Sequence, residues 1–206
     1  MRADRQTAGR GRRGRAWASP AGNLHVSSFV RLGASDPQAQ TLALLAAVAL
    51  FDAATGYVPA GRMTIKWPND LLLDDRKLAG ILLERIDDVV VLGFGVNLAT
   101  HPTKVDRPAI SLAAAGIPTP NPEEFAEVLA TRFAERLALW RSEGLATLRD
   151  AWLERAHPVG TRMAARLAND EELAGAFDGL AEDGALRLRL IDGTLRVIHA
   201  ADVFAL

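Results

Sequence analysis

Residues 63–96 read MTIKWPNDLLLDDRKLAGILLERIDDVVVLGFGV, and the fold turns on how this stretch is divided. Met63 to Trp67 is a short apolar and β-branched run that stops at Pro68, because proline supplies no ladder donor and restricts the residue before it. The polar turn Pro68-Asn69-Asp70 follows. Leu71-Leu72-Leu73, Lys77 to Arg85 and Val89 to Val96 are then three apolar runs separated by Asp74-Asp75-Arg76 and Asp87-Asp88. That pattern predicts an antiparallel meander at the centre of one sheet.

Working outward, Leu24 to Arg31 reads as a further strand behind the turn-forming Ser19-Pro20-Ala21-Gly22. Asp36 and Pro37 offer an N-cap and first-turn proline for an alanine-rich helix to about Thr55, with Gly56 as its stop. Residues 97–122 hold five prolines and little periodicity, which predicts a long surface connection of the kind that borders a site. From Glu123 to Glu143, Phe125, Val128, Leu129, Phe133, Leu137 and Trp140 recur at helical spacing, and Gly144 ends the run. A second helix runs from Leu145 to about Ala156. Beyond Gly160, short apolar runs divided by Asn169-Asp170, Asp178-Gly179, Asp183-Gly184 and Asp192-Gly193 predict a small all-β unit.

The chain has 206 residues, 49% of them hydrophobic and 24% charged, which is the composition of a globular protein with an ordinary core. With 24 basic against 25 acidic residues, the whole molecule has no field that would hold it on nucleic acid or an anionic membrane. The charge is nevertheless uneven, since residues 1–15 carry six arginines against the single acid Asp4. No cysteine is present, which excludes disulfides, thiolate metal sites and cysteine nucleophiles together. The longest apolar run, Leu42 to Phe51, falls well short of the roughly 20 residues that cross a bilayer. With no apolar stretch behind the N-terminal charges, a cytoplasmic location is the default expectation.

Three places could carry chemistry. In Gly9-Arg10-Gly11-Arg12-Arg13-Gly14-Arg15, glycines free the backbone and arginines supply forked donors suited to phosphate or carboxylate. From composition alone this is equally an arginine-glycine arm with generic nucleic-acid affinity. Lys66 ends a strand beside a Trp-Pro turn, where one ammonium can point into a cleft and neutralise an anion; Asn69 and Asp70 read as ordinary turn formers. Lys77-Leu78-Ala79-Gly80-Ile81 and Gly93-Phe94-Gly95-Val96-Asn97 place glycines within strands, a mark of a bulge or of close approach by a ligand.

Taken together, GRGRRGRAW, KWPNDLLLDDRKLAGILLE and GFGVNLA, in this order and spacing, closely resemble the biotin protein ligases. The similarity spans residues 3 to about 150; the β-rich C-terminus resembles the family's SH3-like domain more loosely. The resemblance implies an α+β fold: a mixed or antiparallel sheet with helices packed on it (a biotin/lipoate ligase-like catalytic domain, residues 1–157), plus a small SH3-like β-barrel (residues 158–206). Most members carry an extra strand and helix before the glycine-arginine loop; the resemblance implies that these are missing here and that Met1 stands inside a strand leading to Gln6. It also implies the chemistry. Biotin and MgATP give biotinyl-5′-AMP and pyrophosphate, and a lysine of the biotin carboxyl carrier domain of a carboxylase then attacks the mixed anhydride.

By resemblance, Lys66, Arg10 and Arg12 are the catalytic residues; Gln6, Arg10, Gly11, Arg12 and Lys66 bind biotin; Trp17 and Asn97 bind the nucleotide; and no protein metal ligand is expected, Mg²⁺ arriving with ATP. His25 stands where the family usually has tyrosine. There is no winged-helix segment, so a DNA partner is not expected, nor is a membrane. The alternatives are a lipoate or octanoate transferase of the same fold, a nucleic-acid-binding module using the arginine arm, and an inactive truncated paralogue.

Overall fold

The computed structural model describes residues 1–105 and 107–206; Asp106, within the connection 97–122, lies outside the described residues. The meander forms as its sequence requires. Strands β1 (Leu24–Arg31), β2 (Met63–Lys66), β3 (Asp70–Leu73), β4 (Arg76–Ile86) and β5 (Val89–Val96) make one antiparallel sheet in the order β1-β5-β4-β3-β2. Asp74 and Asp75 both adopt positive φ, at 49° and 58°, the mirror-image turn that matches the twist of a tight hairpin. A register shift between Leu71 and Leu72 moves β4 along β3. Met1 to Ala3 runs antiparallel to the free edge of β1, exchanging backbone hydrogen bonds with Ser27 and His25.

Helix α1 (Leu42–Ala54) is apolar on nearly all sides because it is covered on nearly all sides, touching β2, β3, β4 and both later helices. It starts later than the Asp36-Pro37 pair predicts, after a single 3₁₀ turn (Ala39–Thr41). The Asp36 carboxylate is engaged elsewhere, accepting the Gly33 N–H at 3.0 Å and pairing with Arg141 at 3.1 Å. Helix α2 (Pro122–Glu143) is capped by the Asn121 side chain, and buries Phe125, Leu129, Phe133 and Trp140 on one stripe. Helix α3 (Leu145–Leu153) is shorter than predicted, because Arg155 and Ala156 leave it to bridge Ile65 of β2. Asp52 of α1 ties the layers together by pairing with Arg136 of α2 at 2.6 Å and with Arg155 at 3.0 Å.

The connection 97–122 corrects a further expectation. It is not a surface strap throughout, since Leu98, Ile110, Leu112 and Ile117 are buried in the core. Its residue Ala109 bridges Lys77 in parallel, which fixes the neighbouring Arg107 beside β4.

The C-terminal strands β6 (Arg162–Arg166), β7 (Glu172–Leu180), β8 (Leu186–Leu190), β9 (Leu195–Ile198) and β10 (Asp202–Ala205) form a second antiparallel sheet, ordered β10-β6-β7-β8-β9. This is the expected small SH3-like unit, open between β9 and β10 among the described residues. It docks on the first sheet through named bonds. The Trp67 indole N–H donates to the Gly184 carbonyl at 3.2 Å, and the Lys66 ammonium donates to the Val203 carbonyl at 3.1 Å. No helix among the described residues is long and apolar enough to cross a membrane.

Candidate active site

Asp70 is the centre of the site. Pairing of β2 with β3 sets Lys66 opposite Asp70, and the displaced register of β4 brings Lys77 over the same carboxylate. Lys77 Nζ lies 2.6 Å from Oδ1 and Lys66 Nζ lies 3.3 Å from Oδ2. The side chains of Asp70 and Lys66 are 5% and 9% exposed, whereas that of Lys77 is 28% exposed. Asp70 therefore reads differently from the turn former its sequence suggests: it opens β3, buried, as the counter-ion of two lysines.

Burial works against ionisation of Asp70, but the attraction of Lys77 and then Lys66 outweighs it and holds the carboxyl below the ordinary aspartate range. The Lys66 ammonium is not compensated in the same way. Burial pushes its pKa down, the pull of Asp70 offsets only part of that, and Arg107 and Lys77 repel it. One carboxylate thus serves two ammoniums, and an anion entering beside them would relieve the imbalance.

Around this pair opens a cavity of about 1190 Å³. Its apolar wall comes from Val26, Ile81, Val91 and Phe94, and its floor is glycine. Gly80 and Gly95 face each other across β4 and β5, and the Trp17 indole lies on them so closely that a Cβ at Gly95 would overlap the ring. Lys77 Nζ stands 5.5 Å from the Trp17 ring centroid, a cation–π contact.

The glycine-arginine segment is a small hairpin over the cavity, closed by the Gly11 N–H to the Arg15 carbonyl (2.7 Å) and the Trp17 N–H to the Gly9 carbonyl (2.9 Å). Its tightest point is Gly9, where a Cβ would come within 2.6 Å of the Trp17 carbonyl and 2.7 Å of the Ser19 hydroxyl. At Gly11 there is room for one.

The predicted site residues all line this cavity, in unequal roles. Lys66 ends β2 and is the more buried lysine. Arg12 reaches the Asn69 side-chain oxygen at 3.5 Å and the Ala201 carbonyl at 3.4 Å; burial lowers its pKa, an effect opposed by Asp202 and Asp70. Arg10 is exposed at the cavity rim. Gln6 accepts the Ser19 hydroxyl at 2.7 Å. Asn97 is buried and donates to the Lys77 carbonyl at 3.4 Å, so it positions Lys77. His25 is buried against the Pro20 carbonyl, outside the cavity lining. Sequence reasoning did not single out the Lys77 side chain, Arg107, Arg166 or Asp202, which complete the wall.

Known proteins share this architecture. Residues 2–98 match the model of the Biotin/lipoate A/B protein ligase family, and residues 161–206 match the Biotin protein ligase C terminal domain. The chain is 42% identical to a Biotin--[acetyl-CoA-carboxylase] ligase of Paracoccus denitrificans, over 97% of this chain and 87% of that protein. The chain belongs to the biotin protein ligases. It is also 35% identical to the Biotin--[acetyl-CoA-carboxylase] ligase of Mycobacterium tuberculosis, over 98% of this chain and 76% of that one. A solved biotin protein ligase from Aquifex aeolicus, in complex with biotin and ATP, superposes with a TM-score of 0.86 at 22% identity. The match covers 100% of this chain and 88% of that one, and supports the ligase fold.

Proposed function

We propose that this chain attaches biotin to a lysine of the biotin carboxyl carrier domain of a biotin-dependent carboxylase, through biotinyl-5′-AMP. The observation that carries the reading is the Lys66–Asp70–Lys77 cluster under an arginine hairpin, in a chain 42% identical to a ligase of that name. Two anions, a carboxylate and a triphosphate, have to meet, and their repulsion is the main obstacle. Lys77 and Lys66 supply charge where they would meet, with Asp70 fixing both ammoniums. Biotin's carboxylate oxygen bonds to the α-phosphorus, the bond from that phosphorus to the bridging oxygen breaks, and the electron pair leaves with pyrophosphate. The acceptor amine then bonds to the acyl carbon, the acyl–oxygen bond breaks to release AMP, and the amine loses a proton.

In this reading the apolar wall of Val26, Val91 and Phe94 takes the biotin rings, Gln6 their polar edge, and Arg10, Gly11 and Arg12 close over the carboxylate and phosphate. Trp17 faces the adenine, and Asn97 supports that end of the cavity by holding Lys77. A closed hairpin also shields the anhydride from water. Mg²⁺ is expected to come with ATP, held by phosphates and water. The same reading takes residues 1–157 as the catalytic unit and 158–206 as the SH3-like unit, and the interval between the Ala156 bridge to Ile65 and the start of β6 supports that division.

The test is transfer of biotin to a purified carrier domain, followed by mass spectrometry. One biotin on one lysine, dependent on ATP, is expected; an unmodified acceptor in the presence of both substrates would refute the reading. A narrower prediction concerns the glycine floor. Gly95→Ala displaces the Trp17 ring, and the KM for ATP is expected to rise about tenfold, the scale of one lost base-stacking contact. The KM for biotin should stay near wild type.

A further inference from the structure

One row of residues crosses the first sheet beneath Trp17. His25 of β1 stands opposite Gly95 of β5, and Gly95 stands opposite Gly80 of β4. Residues paired in this way present their side chains to the same face of a sheet, with Cβ positions about 5 Å apart. The Trp17 indole lies on the two glycines in a definite orientation. A Cβ at Gly95 would overlap its Cε2, Cζ2 and Nε1 atoms, whereas one at Gly80 would meet its Cζ3 at 3.2 Å. The N–H edge of the ring therefore lies over β5, on the side of β1, and the opposite edge lies toward Lys77, whose Nζ would be 3.1 Å from the same Gly80 Cβ.

His25 closes the β1 end of this row. It is 3% exposed, and its Nε2–H donates to the Pro20 carbonyl at 3.2 Å. A carbonyl only accepts, so the proton sits on Nε2 and Nδ1 is left as a bare acceptor. Pro20 belongs to the strap of residues 17–22 that joins Trp17 to β1. Two buried polar atoms of this small region have no hydrogen-bond partner among the described residues: the His25 Nδ1, an acceptor, and the Trp17 Nε1–H, a donor. A buried donor and a buried acceptor each cost free energy while unpaired, and residues one strand apart can satisfy one another. The strap's other side-chain tie to the hairpin, the Ser19 hydroxyl on Gln6 at 2.7 Å, is exposed.

We propose that His25 is a positioning residue for the nucleotide half of the cavity: its Nε2–H anchors the Trp17 strap at Pro20, and its Nδ1 accepts the indole N–H once adenine seats on the ring. The proposal rests on the reading that places adenine against Trp17. A stacking platform works only if its face is held at one height and tilt. Lys77 steadies one edge of the indole by its cation–π contact at 5.5 Å, and His25 steadies the other. His25 lies outside the cavity lining and acts through Trp17 alone.

The experiment measures adenylate formation and the quenching of tryptophan fluorescence by acrylamide on the purified chain. Trp67, Trp140 and Trp152 are at most 5% exposed, so quenching reports on Trp17, which is partly exposed. His25→Phe keeps a ring and loses both nitrogens. It is expected to raise the KM for ATP about tenfold, the scale of a hydrogen bond lost in a buried site, and to leave the KM for biotin near wild type. Quenching should rise severalfold in that variant, and ATP added without biotin should suppress it less than in wild type. His25→Gln returns a donor near the Nε2 position and should recover most of both losses, whereas His25→Asn, with its amide near the Nδ1 position, should not. These two polar variants carry the test if His25→Phe does not fold. Equal KM for ATP and equal quenching in His25→Gln and His25→Asn, with both folded, would overturn the proposal and leave the ligase reading standing. So would a parallel rise in the KM for biotin, which would make His25 a part of the general core. No adenylate from the wild type would refute the ligase reading itself.

Discussion

Glutamine in place of Lys77 is expected to slow formation of biotinyl-5′-AMP by about 10²–10³, the range seen when one preorganised charge is taken from a developing anionic centre. The fold should barely notice. Lys77 is the more exposed of the two lysines, and Asp70 keeps Lys66 as its partner, so a loss within about 1 kcal/mol is expected. Lys66→Met separates the roles, because Lys66 is buried and also bonded to the Val203 carbonyl. It should lose adenylate formation and about 2 kcal/mol of stability together, the second from the lost charged hydrogen bond. Single-turnover adenylate assays beside thermal melts distinguish the two. Wild-type turnover by Lys77→Gln would remove the lysine pair from the mechanism.

The larger structural effect belongs to Asp70. Asp70→Asn leaves Lys66 and Lys77 crowded on a neutral amide in a buried site, and breaking a buried pair in this way costs about 3–5 kcal/mol. For a chain of this size that is a fall in melting temperature of about 10 °C. The pH dependence has a definite sign. Because the folded carboxyl lies below its ordinary value of 3.8, its contribution is complete above that value and is lost as pH falls through the lower, folded one. Wild-type stability should therefore drop below about pH 4, and Asp70→Asn should lack that component of the acid limb. An Asp70→Asn protein that melts with the wild type would show the cluster to be structurally idle.

Much of the first sheet was legible because its turns are marked by residues chosen for their backbone. Asp74, Asp75 and Asp87 all take positive φ, and aspartate tolerates that region better than most side chains. Helix α2 was legible because a single stripe of apolar residues is buried. Asp36-Pro37 has the form of a cap and points to an earlier start for helix α1, while the carboxylate is held by Gly33 and Arg141 through contacts that no local pattern encodes. The site was legible in part. Lys66, Trp17, Gln6, Asn97, Arg10 and Arg12 are candidates through motif resemblance, and all line one cavity.

The burial of Asp70 is hidden in the sequence because turn chemistry and charge both argue for exposure. The hairpin around Asp74-Asp75 held the missing signal, since folding it back brings Lys77 to Leu72, diagonal to Asp70 on the neighbouring strand. Arg107, Arg166 and Asp202 carried no such signal. They meet only because the second sheet docks on the first, a relation between segments far apart in the chain.

The central claim is that this cavity joins biotin to the α-phosphate of ATP, and a quenched single turnover of the purified 206-residue chain with biotin and MgATP tests it most directly. The account predicts biotinyl-5′-AMP and pyrophosphate in equal amounts, dependent on both substrates and lost in Lys77→Gln. ATP left intact in the presence of biotin, with the protein retained instead on polynucleotide in a salt-sensitive way, would contradict it.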